Sequence, residues 1–243
     1  MKIKKALLQV PYMFFSGYTE SFRRLYHSFK YQKDSFKIKK SSNIFNDIYE
    51  KSLWGKDFES KSGGGSTIEG TVTIREQLPK ILSKYSISTM LDIPCGDYNW
   101  MKEVKKDCDY IGADIVSKVV EINQQLHSSE TVNFQQMDLT KDLLPKVDLI
   151  FCKDCLQHLS EEKVKEAINN IKRSNSKYLL VTSYQKTWRN YDIFDGEYQP
   201  LNLLIKPYFL KKFILKIKEE SKAADVEVDK TMYLFDINTL PLF

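Results

Sequence analysis

Three aspartates, Asp92, Asp114 and Asp138, recur a little over twenty residues apart, each just after a short run rich in apolar residues. Carboxylates spaced in this way can sit at the ends of successive strands, where the second would accept two hydrogen bonds from a ribose diol. The first lies in Leu91-Asp92-Ile93-Pro94-Cys95-Gly96-Asp97, an acid followed by a tight loop with one glycine. Such a loop, backed by a helix, holds a nucleoside-type cofactor against backbone. A dinucleotide fingerprint wants three glycines, and no G-x-x-x-x-G-K-[ST] is present, which argues against an NAD site and a P-loop nucleotidase.

A second reactive stretch is Cys152-Lys153-Asp154-Cys155-Leu156-Gln157-His158-Leu159. An imidazole with an unperturbed pKa of about 6.5 is mostly neutral at neutral pH and can take a proton, so His158 is a candidate base. The alternative is a structural histidine hydrogen-bonded beneath a cofactor. Asp154 could be the base itself or the group that orients His158. Cys152, Cys155 and His158 also invite a zinc reading, but a structural site needs four ligands and Cys152 falls inside a predicted strand, so no metal site is assigned. A nucleophilic cysteine lacks an acidic partner and a second histidine at an interpretable spacing.

Further on, Tyr184 to Tyr208 mixes aromatic rings with groups that hydrogen-bond hydroxyls: Trp188, Arg189, Asn190, Asp192, Asp195, Tyr198, Gln199 and Asn202. That mixture suits a sugar-like ligand, and Tyr184, Arg189, Asn190, Asp192 and Asn202 are its candidate contacts. The plainer reading is a solvated loop whose rings pack on a sheet. Asp192 and Asp195 could also bind Mg²⁺, though two loop carboxylates three apart are weak grounds for it.

The elements that must position these groups alternate. The patterning predicts a helix from Ser66, with Ser66 and Glu69 as a capping box, to about Tyr85, then a strand at Thr89–Ile93 and a helix over 98–105. It continues with a strand at Tyr110–Ile115, a helix over 117–127, strands at Val132–Met137 and Val147–Cys152, a helix from Ser160 to about Lys172, and a strand at Tyr178–Ser183. Val226–Val228 and Thr231–Phe235 predict a closing hairpin. The fold class is therefore α/β, a doubly wound, mostly parallel Rossmann-like sheet with a C-terminal antiparallel hairpin and an N-terminal helical extension. Ligand sites in such sheets lie at the strands' carboxyl ends.

The 243 residues, 42% hydrophobic and 13% aromatic, suffice for one well-buried domain with extensions and exclude disorder and collagen. Four cysteines are not a disulfide scaffold in a chain of this length, and Gln9 and Pro11 interrupt the apolar start before a cleavable signal matures. The expected location is cytoplasmic. Residues 1–40 hold ten Lys and Arg against Glu20 and Asp34, so the net charge of +5 belongs to this leader. Its interleaved aromatics would suit packing on the main domain, a membrane surface or RNA.

With its acids and loop in this order, the sequence resembles the class I S-adenosylmethionine-dependent methyltransferases, and its D-I-P-C-G-D loop resembles a bacterial subgroup found among surface-polysaccharide biosynthesis proteins. The resemblance spans about residues 45–238 and implies S-adenosyl-L-methionine as cofactor. It implies Asp92 and Gly96 along the methionine part, Asp114 on the ribose, Asp138 on the adenine amino group, and Met137 and Leu139 flanking the ring. Pro94, Asp97, Trp100, Ile115 and Lys153 would complete that contact, with Trp54, Gly55, Ser62 to Ser66 and Arg75 as a lid and wall. Pro94 stands where the family usually has a glycine and removes an N–H from the loop.

The organisation implied is a basic, aromatic extension and lid over residues 1–64 and a methyltransferase domain over 65–243. No N/D-P-P-Y/F signature follows the fourth strand, which favours an oxygen acceptor over an amide or exocyclic amine. The implied reaction is methyl transfer to a sugar hydroxyl, or to a phosphate-type oxygen served by Arg75, Lys153 or Arg189, on a small-molecule or glycan acceptor. Nucleic acid is not the expected partner. The rival readings are an RNA methyltransferase that uses the basic leader and an inactive binding module marked by Pro94.

Overall fold

The structure is a computed structural model and describes residues 43–219 and 229–243. The chain divides into residues 1–40 and a compact unit of residues 41–243, so the segment 43–64 packs as part of the unit that holds the sheet. Seven strands form one sheet: β1 Thr89–Asp92, β2 Asp109–Asp114, β3 Val132–Gln136, β4 Leu149–Cys152, β5 Tyr178–Tyr184, β6 Phe213–Lys218 and β7 Lys230–Asp236. Their order is β3-β2-β1-β4-β5-β7-β6. β1 to β5 are parallel neighbours, whereas β7 runs antiparallel to β5 and β6 antiparallel to β7. Among the described residues four α-helices accompany them: α1 Ile44–Glu50, α2 Val72–Lys84, α3 Ser117–His127 and α4 Glu161–Arg173.

The central strands are apolar on both faces because both are covered. Along β1, β4 and β5, alternate residues enter two cores: Leu91, Ile150, Cys152, Leu179 and Val181 meet Val164, Ala167, Ile168 and Ile171 of α4. Met90, Leu149, Phe151 and Leu180 meet Ile74, Leu78, Ile81 and Leu82 of α2. The period of two in the strands thus meets the helical period of α2 and α4 across each face. From β1 the chain builds outward to β2 and β3, then returns to β4 on the other side, which opens a crevice at the carboxyl ends of β1 and β4.

Three local expectations are corrected. The helix expected over 98–105 is a single 3₁₀ turn, Met101–Glu103, preceded by Tyr98 with its φ at +56°. The helix expected from Ser66 begins at Val72, after two 3₁₀ turns at Gly64–Ser66 and Glu69–Thr71, and Ser66 and Glu69 form no capping box. The partner of β7 in the hairpin is Phe213–Lys218, while Val226–Val228 lies outside the described residues. All four cysteines are free thiols. Among the described residues no helix is long and apolar enough to cross a membrane, and no cluster of three or more His, Cys, Asp or Glu could hold a metal ion.

Candidate active site

One cleft opens over the carboxyl ends of β1, β2 and β4, and a strap from α1 to Ser66 covers part of it. At its β2 side Asp114 ends the strand with its carboxylate gripped by backbone: Gly96 N–H donates to Oδ2 at 3.1 Å and Val116 N–H to Oδ1 at 3.0 Å. Each oxygen keeps a further lone pair for a ligand hydroxyl. Gly96 itself has φ +54°, and a Cβ there would stand 2.4 Å from Ser62 Oγ, so only glycine lets the strap close on the loop. Asn123 of α3 donates to the Gly96 carbonyl at 2.8 Å and anchors the loop from beneath.

Ile115, Met137 and Leu139 line the same end, with Asp138 among them. Asp138 is also a local cap, since Thr140 donates to its Oδ1 through both N–H and hydroxyl, at 2.9 and 2.7 Å. Pro94 and Trp100 form part of the wall.

At the β4 end, His158 sits on a 3₁₀ turn, Leu156–His158, with its carbonyl accepting from Gly196 N–H at 2.8 Å. The Glu197 carbonyl lies 2.9 Å from His158 Nδ1. A carbonyl only accepts, so Nδ1 carries the hydrogen and the neutral ring has its lone pair on Nε2. The Trp54 ring stacks on the imidazole, centroids 4.4 Å apart, and is itself met edge-on by Phe45 of α1.

Asp154 is not suited to act as a base. Burial pushes its pKa up, but the ammonium groups of Lys153 and Lys230, at 2.5 and 3.0 Å, outweigh burial and hold the carboxyl well below the usual range. Gln157 Nε2 and Thr182 Oγ1 also face its other oxygen, at 3.2 and 3.3 Å.

Of the residues expected at the site, Trp54, Asp92, Pro94, Gly96, Trp100, Asp114, Ile115, Met137, Asp138, Leu139, Lys153, Asp154 and His158 line the cleft. Seven others do not. Asp97 staples the strap instead, accepting from Ser60 Oγ and Lys61 N–H at 2.9 and 2.8 Å, while its own N–H donates to Ser62 Oγ. Arg75 donates to the Ile68 carbonyl at 2.9 Å.

None of the five expected substrate contacts lines the cleft, and three of them turn to backbone groups that would otherwise go unpaired. Asn190 Nδ2 donates to the carbonyls of Asn202 and Lys206, and Asn202 Nδ2 to those of Gln185 and Thr187. Asp192 accepts from Glu161 N–H at the start of α4. Asp195, considered with it as a Mg²⁺ ligand, accepts from Ser160 N–H and pairs with Lys163. Tyr184 is fully buried, and Arg189 is exposed over the Tyr191 ring. The cleft adds, among others, Phe45, Lys61, Val116 and Val119 to those the sequence singled out for it, with no spacing to betray them.

Asp92 is buried beside the cleft, and Tyr110 Oη donates to it at 2.6 Å. Burial raises its carboxyl to about 7, and burial raises Asp114 to about 6 against the lowering effect of its backbone donors. Both groups hold a proton more tightly in the folded chain than in the unfolded one. Their contribution to stability is therefore full below the ordinary value of 3.8 and is lost as pH rises through about 6 to 7. Denaturant unfolding of the protein at about pH 5 and about pH 8 should show this loss, and Asp92→Asn should shrink it. An equal loss in the variant would contradict the assignment.

Comparison with known proteins meets this geometry. Residues 90–176, from β1 to the end of the α4 connection, match the family model described as a methyltransferase domain. The fold is that of the class I methyltransferases. The methyltransferase fold is shared with the N-methyltransferase NodS from Bradyrhizobium japonicum WM9, solved with S-adenosyl-L-homocysteine, at 15% identity and a TM-score of 0.59, over 79% of this chain and 97% of that one. It is shared too with magnesium protoporphyrin IX methyltransferase (ChlM) from Synechocystis PCC 6803, with bound SAH, at 14% identity and a TM-score of 0.51, over 80% and 98% of the two chains. No curated protein matches the sequence.

Proposed function

We propose that the chain transfers a methyl group from S-adenosylmethionine to an oxygen, a sugar hydroxyl or phosphate-type oxygen of a surface-glycan precursor. The observation that carries this reading is a single cleft with a fixed carboxylate, Asp114, at its β2 side and an imidazole with its lone pair on Nε2, His158, at its β4 end. The donor fits the residues present. Asp114 retains lone pairs for two hydroxyls, Met137 and Leu139 offer an apolar slot, and the strap passes so close to Gly96 that no side chain fits there.

When bound, the donor supplies a methyl group on a sulfonium, open to in-line displacement. The chain's own residues do the rest. Asp114 accepts the hydroxyls and fixes register, while Asp97 keeps Ser60 and Lys61 down over the loop and keeps water out. His158 Nε2 takes the proton of the attacking hydroxyl as its oxygen gains the methyl, and Nδ1–H, held on the Glu197 carbonyl, puts the lone pair of the neutral ring on Nε2. Trp54 covers the imidazole and makes its surroundings drier.

The test is transfer of labelled methyl to a panel of nucleotide sugars, saccharides and RNA. Incorporation into a saccharide, little affected by salt, is the expected result. Incorporation into RNA alone, falling steeply with salt, would replace this reading with the nucleic-acid one.

A further inference from the structure

Behind the β4 end of the cleft lie four charged side chains that no step above uses as a group: Lys153, Asp154, Glu219 and Lys230. Lys153, Glu219 and Lys230 are almost wholly buried, with side-chain exposures of 4, 2 and 1%. Glu219 Oε2 stands 3.2 Å from Lys230 and 3.7 Å from Lys153, yet neither oxygen of this buried carboxylate accepts a hydrogen bond. Asp154 is saturated by its donors, as described above. Gly65 closes the group: its carbonyl accepts from Lys153 Nζ at 2.8 Å, and a Cβ on it would come within 2.6 Å of Asp154 Oδ2.

Burying four charges is costly, and apolar residues of similar volume often serve a core at least as well. What the arrangement achieves is a lysine side chain fixed at the wall of the cleft. Of the four, only Lys153 and Asp154 line it. An ammonium has three N–H groups, and the Gly65 carbonyl and Asp154 take two of those on Lys153 at hydrogen-bonding distance. The group sits where β4, β5 and β6 end and β7 begins, on the other side of β1 from Asp114 and Asp138. That is the half of the cleft left to the acceptor.

We propose that Lys153 binds an anionic group, phosphate or carboxylate, of the acceptor, and that Asp154, Glu219 and Lys230 hold its ammonium in place. This assignment rests on the donor reading given above and refines its acceptor to an acidic one. It moves Lys153 from the donor contacts expected of it in the sequence to the acceptor side. Asp154, Glu219 and Lys230 act through Lys153 and are positioning residues.

The probe is inorganic phosphate, titrated by calorimetry into protein saturated with S-adenosylhomocysteine. Wild type should bind phosphate, Lys153→Met should weaken it at least about tenfold, and the affinity for S-adenosylhomocysteine should stay nearly unchanged. Glu219→Gln removes one of two buried negative charges and should tighten phosphate binding, a sign that loss of packing alone would not produce. Melting curves and S-adenosylhomocysteine titrations identify any variant that has failed to fold, and Lys153→Arg, which keeps the charge, should restore part of the binding.

Equal phosphate binding by wild type and Lys153→Met, or none by wild type, would overturn the proposal. So would a Lys153→Met variant that loses S-adenosylhomocysteine affinity, since Lys153 would then serve the donor. Failure of wild type to bind S-adenosylhomocysteine would instead defeat the donor reading, and phosphate titration of the free protein would still decide the role of Lys153.

Discussion

Asp114→Ala is expected to weaken binding of S-adenosylhomocysteine by at least about tenfold, because each charge-assisted hydrogen bond lost is worth roughly 1.5 to 3 kcal/mol. The structure adds a second route to the same loss. The Asp114 carboxylate also ties Gly96 N–H and Val116 N–H together, so the loop that shapes the cleft loosens with its removal. A melting curve separates the two contributions, since a collapsed loop lowers stability and a lost ligand bond does not. Wild type should also bind less tightly as pH falls below about 6, the value to which burial raises this carboxyl, because the protonated group has less to offer a hydroxyl donor. Unchanged affinity in Asp114→Ala would mean that the ribose does not lie at β2.

His158→Ala should leave donor binding nearly intact and reduce turnover by roughly a hundredfold or more, the usual contribution of a positioned base. Its Nδ1 contact to the Glu197 carbonyl and its stacking on Trp54 fix the ring whether or not it moves a proton. The pH profile discriminates: a base role gives an acidic limb to kcat in wild type that vanishes in the variant, whereas a packing role lowers the rate without removing the limb. Full activity in His158→Ala would assign proton removal to solvent, since Asp154, locked between Lys153 and Lys230, is too weak a base.

What was legible in the sequence was what depends on local pattern. The apolar runs at β1, β2, β4 and β5 and the acids closing β1 and β2 were readable because a buried parallel strand and its exit loop are contiguous. The stretch 98–105 was not, because Tyr98 turns left-handed to pack against Tyr110 and Phe134, which takes the first expected helical residue out of the helical path and leaves a single 3₁₀ turn after it.

The polar residues after β5 were misleading for a physical reason. Asn190, Asp192 and Asn202 have the same groups whether they meet a sugar or unpaired backbone, and in this loop the backbone takes them. Glu219 and Lys230 were unreadable as partners of Lys153 and Asp154, since only the order β4-β5-β7-β6 brings ends so far apart in the chain together.

The most direct test of the central claim is calorimetric titration of the wild-type protein with S-adenosylhomocysteine. The account predicts one-to-one binding in the micromolar range. Absence of heat from a folded, monodisperse protein would leave a methyltransferase fold whose cleft does not hold the donor, and would contradict the proposed function at its root.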